Sequence, residues 1–348
     1  MREGRFAAAV VGCRMGRNHA LTLASLPDFT LAGVCDLNAE TAREVAERTG
    51  GPAVYADFDR MLKELNPDVV VIATPTDSHS RLTIRAAEAG VRGIYCEKPM
   101  AVHMGDARLM AKACAASGAR LVVGHQRRMS APYKTMRRLL RSGAIGAPYL
   151  LRASCAGDFL SDGTHSVDSL LYLAGDEKVR WVLAAMFRRP NALVPAARRY
   201  GHAVESGMMA TIEFESGLRA ELLTGEVRMP GRGYQDIEVF GEKGRLWRAG
   251  DAAQSAVLVQ NEEAGGLRVP ELDPPDGSND GLPGVFRSFA HSLRTGEPHP
   301  LDASVAMRTM EVVMAAYESA RLGERIELPL RQDRFPLDLM PSVKEAEE

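Results

Sequence analysis

The chain has 348 residues, of which 45% are hydrophobic and 25% are charged, and its formal net charge is −2 at pH 7. This composition is typical of a folded globular protein, and the length predicts two domains rather than one. The near-neutral charge argues against a nucleic-acid partner. The first apolar run, residues 6–11, is too short for a membrane span or a signal peptide. We therefore expect a cytoplasmic protein with no nucleic-acid or membrane partner.

The cysteines predict neither disulfides nor a metal site. There are five, an odd number, without a CxxC pair: Cys13, Cys35, Cys96, Cys114 and Cys155. In a reducing compartment such residues are small buried side chains. Cysteine and histidine also lack the spacing of a zinc site. We therefore expect no metal.

The first part of the chain alternates short apolar strands with amphipathic helices. Strands are predicted at residues 6–11, 30–35, 69–73, 93–96 and 121–123. Strands without polar alternation are buried on both faces, as in a parallel sheet covered by helices. Residues 1–124 therefore predict a doubly wound α/β domain of the Rossmann type.

After residue 124 the strands become longer and alternate between apolar and polar residues. Residues 208–215 and 218–224 predict a hairpin, and the Gly- and Pro-rich stretch 265–284 predicts a loop. Helices are predicted at residues 133–140, 166–173, 285–294 and 305–321. We expect an α+β domain with one open sheet over residues 125–335, followed by a tail at 336–348.

The segment VVGCRMGRNHA follows the first strand and opens a helix, where Rossmann folds hold a pyrophosphate on backbone N–H groups. Gly12 would make the tight turn, and Gly16 would allow close contact between helix and strand. The loop is one residue short of GxGxxG and lacks its middle glycine. Arg14 and Met15 lie within it, and Arg14 either reaches a phosphate or is solvated. The alternative is a turn that simply needs glycine.

Asp36 ends the second strand, about two dozen residues after Gly12, a spacing typical of a carboxylate that binds ribose hydroxyls. A carboxylate there would repel a 2′-phosphate, so the pattern favours NAD, with NADP less expected. Asp36 also has a second, compatible interpretation as the N-cap of the helix that begins at Ala39.

Two further strand ends carry polar side chains in the segments ATPTDSH and CEKP. Because open α/β sheets bind ligands beyond the carboxyl ends of their strands, we expect Thr74, Pro75 and His79 to line the cofactor site, together with Glu97 and Lys98. A lysine in such a crevice can have a lowered pKa and relay a proton. The alternative is a surface lysine paired with Glu97.

The chain resembles the glucose–fructose oxidoreductase / inositol dehydrogenase (Gfo/Idh/MocA) family over nearly its whole length. GRNHA, ATPTDSH, CEKPMA, GHQRRMSAPY and DGTHSVD occur in that family's order. The resemblance implies a Rossmann domain and a second domain whose open, mostly antiparallel sheet joins subunits as a homodimer or homotetramer. It also implies hydride transfer between nicotinamide and a secondary alcohol or ketone of a sugar or cyclitol.

The resemblance assigns catalytic roles to Lys98 and His165. Lys98 would bind the reacting hydroxyl, and the proline after this lysine is often cis in the family. His165 would take the proton. Many relatives carry an aspartate four residues before this histidine, where this chain has Ser161. Either Asp162 replaces that acid and also binds substrate, or the site uses Lys98 and His165 without such an acid. Asp162 has the further alternative of capping the helix. His165 itself has the alternative of capping or packing under the helix.

Gln126 and Arg127 resemble an Asn-Arg pair that lies near the nicotinamide and the substrate in relatives, so we expect Gln126 to bind cofactor and Arg127 to bind substrate. The polar run Arg198, Arg199, Tyr200 and His202 could reach a substrate, although we expect it to face solvent.

Two other functions stay open. Some relatives are NAD-dependent glycosidases that keep the cofactor bound, and others are non-catalytic NAD-binding regulators. The shortened glycine loop and the displaced acid are compatible with a regulator, whereas the presence of both Lys98 and His165 argues against one.

Overall fold

The computed structural model describes residues 4–187, 198–226, 233, 235–250, 256–262, 265–274 and 281–340. By its contacts the chain divides into two compact units, one containing residues 1–129 and 275–307 and the other residues 130–274 and 308–348. Within the described ranges, none of the helices combines the length and hydropathy needed to cross a membrane.

The first unit is built on a six-stranded parallel sheet with the order β3-β2-β1-β4-β5-β6. Its strands are β1 Phe6–Val11, β2 Phe29–Cys35, β3 Ala53–Tyr55, β4 Val69–Ile72, β5 Gly93–Cys96 and β6 Arg120–Val123. Its helices are α1 Gly16–Ser25, α2 Ala39–Arg48, α3 Phe58–Leu65, α4 His79–Glu88 and α5 Met104–Ser117. The predicted Rossmann fold is confirmed, and the strand order reverses between β1 and β4, where such sheets bind dinucleotides.

Local sequence explains where these elements begin. Strands β4 (VVVI) and β5 (GIYC) are buried throughout, as expected for strands covered on both faces. Helix α2 begins after Asn38, whose side chain accepts hydrogen bonds from the backbone N–H groups of Glu40 and Thr41. The N-cap is therefore Asn38, and the expectation that Asp36 caps this helix is wrong.

The second unit contains helices α6 Ala131–Arg141 and α7 Gly163–Leu173 and a large mixed sheet. Its strands are β7 Pro148–Ala156, β8 Val179–Met186, β9 Arg198–Arg199, β10 His202–Ala203, β11 Met208–Phe214, β12 Arg219–Glu226, β13 Gln235–Gly241, β14 Gly244–Arg248, β15 Val257–Asn261, β16 Gly266–Arg268 and β17 Ile326–Glu327. Nine of the described strands form one sheet in the order β16-β15-β14-β13-β7-β12-β11-β8-β17, in which β7 and β12 pair parallel and the other pairs are antiparallel. The predicted open sheet and the β11–β12 hairpin are confirmed.

The two faces of this sheet differ, because side chains alternate along each strand. On the inner face, Val182, Ile212 and Val239 are buried. On the outer face, Leu183 and Met209 remain 45% and 60% exposed, although both are large and apolar. Leu183 and Met209 therefore form an apolar patch on the outer face that no described part of the chain covers.

The last helices are α8 Leu282–Thr295 and α9 Ala303–Leu322. The loop predicted at residues 265–284 is partly wrong, since β16 lies within it and α8 begins before its end, while residues 275–280 are outside the described ranges. Helix α8 belongs to the first unit, although the sequence assigned it to the second domain. The reason is aromatic packing, since the Phe286 ring centroid lies 5.2 Å from that of Tyr95 and 5.8 Å from that of His19. Of the expected tail, Pro336–Leu339 forms a 3-10 turn and residues 341–348 are not described.

Candidate functional site

The glycine loop after β1 has the geometry of a phosphate-binding turn. Gly12 has φ of +88°, and a Cβ built on it would lie 2.4 Å from the carbonyl oxygen of Ala73, so only glycine fits there. A Cβ on Gly16 would lie 2.7 Å from Cγ1 of Val10. The Gly16 N–H donates to the Gly12 carbonyl oxygen, and Met15 precedes α1 without making a side-chain cap, which leaves the next N–H groups of the helix available to an anion.

The Asp36 carboxylate joins the end of β2 to this loop. Its Oδ2 accepts a hydrogen bond from the backbone N–H of Cys13 at 2.6 Å, and its Oδ1 accepts one from Asn38 at 2.8 Å. A carboxylate has about four acceptor positions, so it can also accept hydrogen bonds from ribose hydroxyls. The residues present therefore fit a dinucleotide with a free 2′-hydroxyl.

The cysteines near this loop are not reactive. All five cysteines are reduced and buried, as the sequence predicted. Burial, followed by the nearby charge of Asp36, raises the pKa of Cys13 and that of Cys35 to about 12. Both thiols therefore stay protonated at neutral pH and contribute packing rather than nucleophilic chemistry.

His79, predicted to line the cofactor site, is buried between two strand ends. Its Nε2 lies 2.9 Å from the carbonyl oxygen of Thr74, and its Nδ1 lies 2.9 Å from that of Pro99. Burial lowers the pKa of His79, although the two carbonyl groups oppose that shift. A neutral imidazole has one N–H, so it donates to one of these oxygens at a time. His79 thus connects the segments after β4 and β5. Of the other two residues predicted here, Pro75 is exposed, and the Thr74 hydroxyl forms a hydrogen bond with the Ser78 hydroxyl.

The segment after β5 is organised by a buried hydrogen bond between His19 and Glu97 that the sequence analysis missed. Oε1 of Glu97 lies 2.7 Å from Nε2 of His19 in α1, and its Oε2 accepts a hydrogen bond from the backbone N–H of Lys98. Burial opposes ionisation of Glu97, but the hydrogen bond from His19 and the charge of Lys98 lower its pKa below the ordinary value. The Lys98–Pro99 peptide is cis. The GRNHA and CEKP motifs are therefore in direct contact, and the Glu97 carboxylate is occupied by protein groups.

Gln126 and Arg127 lie in a 3-10 turn, Gln126–Met129, that directly follows β6. Oε1 of Gln126 is buried and has no hydrogen-bond partner among the residues described. A buried acceptor of this kind is costly unless a ligand supplies a donor. This atom therefore also fits a bound cofactor.

In the second unit, His165 lies buried in the first turn of α7, and Asp162 occupies the N-cap position. The Asp162 side chain makes no capping hydrogen bond. Its Oδ2 lies 2.5 Å from Nη1 of Arg199, which is also 3.1 Å from Oδ2 of Asp158. Arg199 was expected to face solvent and instead pairs with the candidate acid, so that expectation is wrong for this residue.

Ser161 and His202 form a second link between the same segments. The Ser161 Oγ lies 3.2 Å from Nε2 of His202, and the ring's Nδ1 lies 2.8 Å from the carbonyl oxygen of Ala203. Because that carbonyl can only accept, a neutral His202 donates from Nδ1 and accepts at Nε2 from the Ser161 hydroxyl. His202 is buried, so the expectation of solvent exposure is wrong here too.

A partly buried carboxyl, Glu205, holds the backbone that precedes Asp162. Its Oε1 accepts a hydrogen bond from the N–H of Phe159 at 2.7 Å, and its Oε2 accepts one from the Tyr317 hydroxyl at 2.6 Å. Burial, followed by the charge of Asp158, raises the pKa of Glu205 to about 7. No motif in the sequence marks Glu205, since its partners are 46 and 112 residues away.

Comparison with known proteins decides the family. The model of an oxidoreductase family with an NAD-binding Rossmann fold matches residues 6–125, and the model of that family's C-terminal alpha/beta domain matches residues 154–328. The chain belongs to the Gfo/Idh/MocA oxidoreductase family. The predicted family, fold class and NAD cofactor are thereby confirmed.

The relatives of this Gfo/Idh/MocA protein extend over most of its length. A D-apiose dehydrogenase of Paraburkholderia graminis is 29% identical over 95% of this chain and 92% of its own. An inositol 2-dehydrogenase of Saccharopolyspora erythraea is 30% identical over 75% of this chain and 77% of its own. Among solved structures, the WlbA dehydrogenase of Bordetella pertussis in complex with NADH and UDP-GlcNAcA has a TM-score of 0.77 and 27% identity, covering 94% of this chain and 99% of its own.

Proposed function

We propose that this protein oxidises a secondary alcohol of a sugar or cyclitol with NAD, or reduces the matching ketone. The observation that carries the proposal is the position of Lys98. This lysine follows the carboxyl end of β5, and β5 is one strand away from the point where the Rossmann sheet reverses its order. The names of the D-apiose and inositol dehydrogenases, a sugar and a cyclitol enzyme, support the substrate class.

The proposed chemistry divides the alcohol into a hydride and a proton. When bound, NAD accepts at C4 of its nicotinamide ring the hydride that leaves the carbinol carbon. In this proposal the Lys98 ammonium donates a hydrogen bond to the reacting oxygen and stabilises the negative charge that develops on it. The His165 imidazole takes the hydroxyl proton in oxidation and returns it in reduction.

The other predicted site residues receive supporting roles. Asp162, paired with Arg199, would accept a hydrogen bond from a neighbouring substrate hydroxyl, and Arg127 would bind the substrate as well. Glu97 and His79, whose side chains have internal partners, would support the site rather than contact the cofactor. The proposed cofactor contacts are Gly12, Arg14, Met15, Gly16, Asp36, Thr74, Pro75, Lys98 and Gln126.

An NAD-coupled absorbance screen over inositols, linear polyols and aldoses tests the activity. The proposal expects net formation of NADH with at least one member and none with the matching deoxy compounds. Cleavage of a glycoside without net NADH would favour a glycosidase. NAD binding without turnover of any member would favour a regulator. Either result would contradict the proposal.

The proposal includes a homo-oligomer, a homodimer or homotetramer, formed through the outer face of the nine-stranded sheet. Apolar side chains on that face include Leu183 and Met209 on the neighbouring strands β8 and β11, and monomers rarely expose large apolar patches. Two cross-strand ion pairs lie on the same face, Arg152–Glu221 at 3.1 Å and Arg245–Glu238 at 2.9 Å. A second copy would cover the apolar side chains of β8 and β11 together with the ion pairs on the central strands.

Light scattering after gel filtration tests this interface. Met209→Asp should dissociate the assembly, because it places a charge in the apolar patch that a second copy would cover. Leu109→Asp, at a comparably exposed position on α5, is the matched control and should leave the assembly intact. A monomeric wild type, or an intact Met209→Asp oligomer, would reject the interface.

A cytoplasmic location completes the proposal, since five reduced and buried thiols suit a reducing compartment. Cell fractionation should recover the protein with cytoplasmic marker enzymes. Recovery with membranes or with an exported fraction would contradict this location.

A further inference from the structure

Three buried side chains in the second unit carry polar groups without partners. Tyr133 on α6, Gln235 on β13 and Arg248 on β14 are 1%, 3% and 7% exposed. Four of their atoms are fully buried and have no hydrogen-bond partner within the described ranges, namely Oη of Tyr133, Oε1 and Nε2 of Gln235, and Nε of Arg248. We call these three residues the inner polar cluster.

The three residues are neighbours in the fold. The Arg248 guanidinium lies over the Tyr133 ring, with its Cζ 5.3 Å from the ring centroid. Arg248 is paired with Ile237 across the β13–β14 ladder, and Gln235 lies two residues from Ile237 on the same inner face. Gln235 and Arg248 are therefore diagonal neighbours on one face of the sheet.

Their burial requires an explanation, because buried polar groups in folded proteins nearly always have partners. Arg248 is the strongest case, since a buried cation is costly unless an anion accompanies it. Among the described residues we find no carboxylate paired with Arg248, and the contact with the Tyr133 ring offsets only part of that cost. The cluster offers a cation, a hydroxyl and an amide, which together suit an oxyanion.

The cluster lies next to the segment that carries the candidate catalytic residues of this unit. Gln235 pairs with Cys155 at the end of β7, three residues before Asp158 and ten before His165. Helix α6, whose first turn carries Tyr133, packs against α7, whose first turn carries His165. A ligand held by the cluster would therefore lie close to that segment.

We propose that Tyr133, Gln235 and Arg248 bind the oxyanion of an acidic sugar, a carboxylate or a phosphate, and thereby select the substrate. This inference rests on the proposed sugar dehydrogenase activity and adds a substrate class to it. In this proposal Arg248 forms an ion pair with the oxyanion. The Tyr133 hydroxyl and Nε2 of Gln235 donate hydrogen bonds to the oxyanion, and Oε1 of Gln235 accepts one from a sugar hydroxyl.

The first experiment compares a neutral hexose, the corresponding hexuronate and the hexose 6-phosphate as substrates with NAD. Wild type should prefer one of the two anions over the neutral sugar, and which anion it prefers identifies the source of the oxyanion. Arg248→Gln should lower the ratio of kcat/KM for that anion to kcat/KM for the neutral sugar by roughly 10- to 100-fold, the effect of losing hydrogen bonds to a charged group. Arg268→Gln, at an exposed arginine on β16 of the same sheet, is the control and should leave this ratio unchanged.

A second variant covers the case in which Arg248→Gln fails to fold. Gln235→Glu is nearly isosteric and places a carboxylate beside Arg248, so it should fold with an unchanged or higher Tm. It should abolish the preference for the anion while neutral-sugar turnover persists. Equal loss on charged and neutral sugars in both variants, or a wild type without any anion preference, would overturn the proposal.

Binding without turnover separates this inference from the proposed function. Thermal shift with hexuronate or hexose 6-phosphate, in the absence of NAD, should show saturable stabilisation of wild type and none of Gln235→Glu. Such binding without oxidation of any sugar would reject the dehydrogenase proposal and keep the oxyanion site. Turnover of neutral sugars without this binding would reject the oxyanion site alone.

Discussion

His19 and Glu97 form a buried hydrogen-bonded pair in which Nε2 of the histidine lies 2.7 Å from Oε1 of the glutamate. The pair joins the first turn of α1, directly after the glycine loop, to the residue that precedes Lys98. One contact therefore links the proposed phosphate-binding loop to the proposed catalytic lysine, and it explains why a Glu-Lys dipeptide stands at the end of a buried strand.

Removing His19 should destabilise the first unit strongly. His19→Ala leaves the Glu97 carboxylate buried without its partner, which costs about 3–5 kcal/mol in comparable buried pairs. Thermal unfolding followed by circular dichroism, with NAD affinity as a second readout, measures the effect. The exposed His291–Glu297 pair in the same unit offers the control, since His291→Ala should change Tm little. Equal Tm values for the two variants would show that the buried pair contributes no more to stability than the exposed pair does.

The same pair should make stability depend on pH on the acid side. The folded-state pKa of Glu97 is lowered, so its contribution is complete above the ordinary value of 4.5 and is lost as pH falls below it. Glu97→Gln should therefore flatten the decline in Tm below pH 4.5 relative to wild type. Parallel curves for the two proteins would assign the acid sensitivity to other groups.

Glu205 should make stability depend on pH in the opposite direction, with stability falling as pH rises. Its folded-state pKa is raised to about 7, so the folded protein holds a proton that the unfolded chain releases above its ordinary value of 4.5. Stability of the second unit should therefore fall as pH rises from 4.5 to about 7, by about 3 kcal/mol in total, and then level off.

The tryptophans make this prediction measurable in one unit. Both Trp residues of the chain, Trp181 and Trp247, lie in the second unit, so their fluorescence in urea titrations reports its unfolding. Glu205→Gln should remove the difference between pH 5 and pH 8. A variant that keeps the wild-type slope would place the titrating group elsewhere.

Asp36 should set the choice of cofactor. Asp36→Asn removes the charge that repels a 2′-phosphate while its amide oxygen still accepts one of the two backbone hydrogen bonds. The ratio of kcat/KM for NAD to that for NADP should fall by about 10- to 100-fold, as expected when a hydrogen bond to a charged group is lost. An unchanged ratio would mean that Asp36 serves only to anchor Cys13.

The strand ends that carry Lys98 and Asp36 were predictable because local sequence defines them. Apolar runs such as VVVI and GIYC specify buried parallel strands whatever surrounds them. The pairing of Asp162 with Arg199 was not predictable, because the residues are 37 apart and their approach depends on packing. The packing of helix α8 against Tyr95 and His19 was not predictable for the same reason, since its amphipathic pattern does not specify which apolar surface covers it. The surroundings of polar groups such as Glu205 and Arg248 likewise follow from tertiary structure alone.

The most direct test of the central claim compares Lys98→Ala with Lys112→Ala, a change at an exposed lysine on α5, using a substrate found in the screen. If Lys98 stabilises the reacting oxygen, its loss should lower kcat by roughly 10²- to 10⁴-fold while the Kd for NAD stays within about twofold. Lys112→Ala should match wild type in both. Undiminished turnover in Lys98→Ala, with NAD bound normally, would contradict the proposed mechanism.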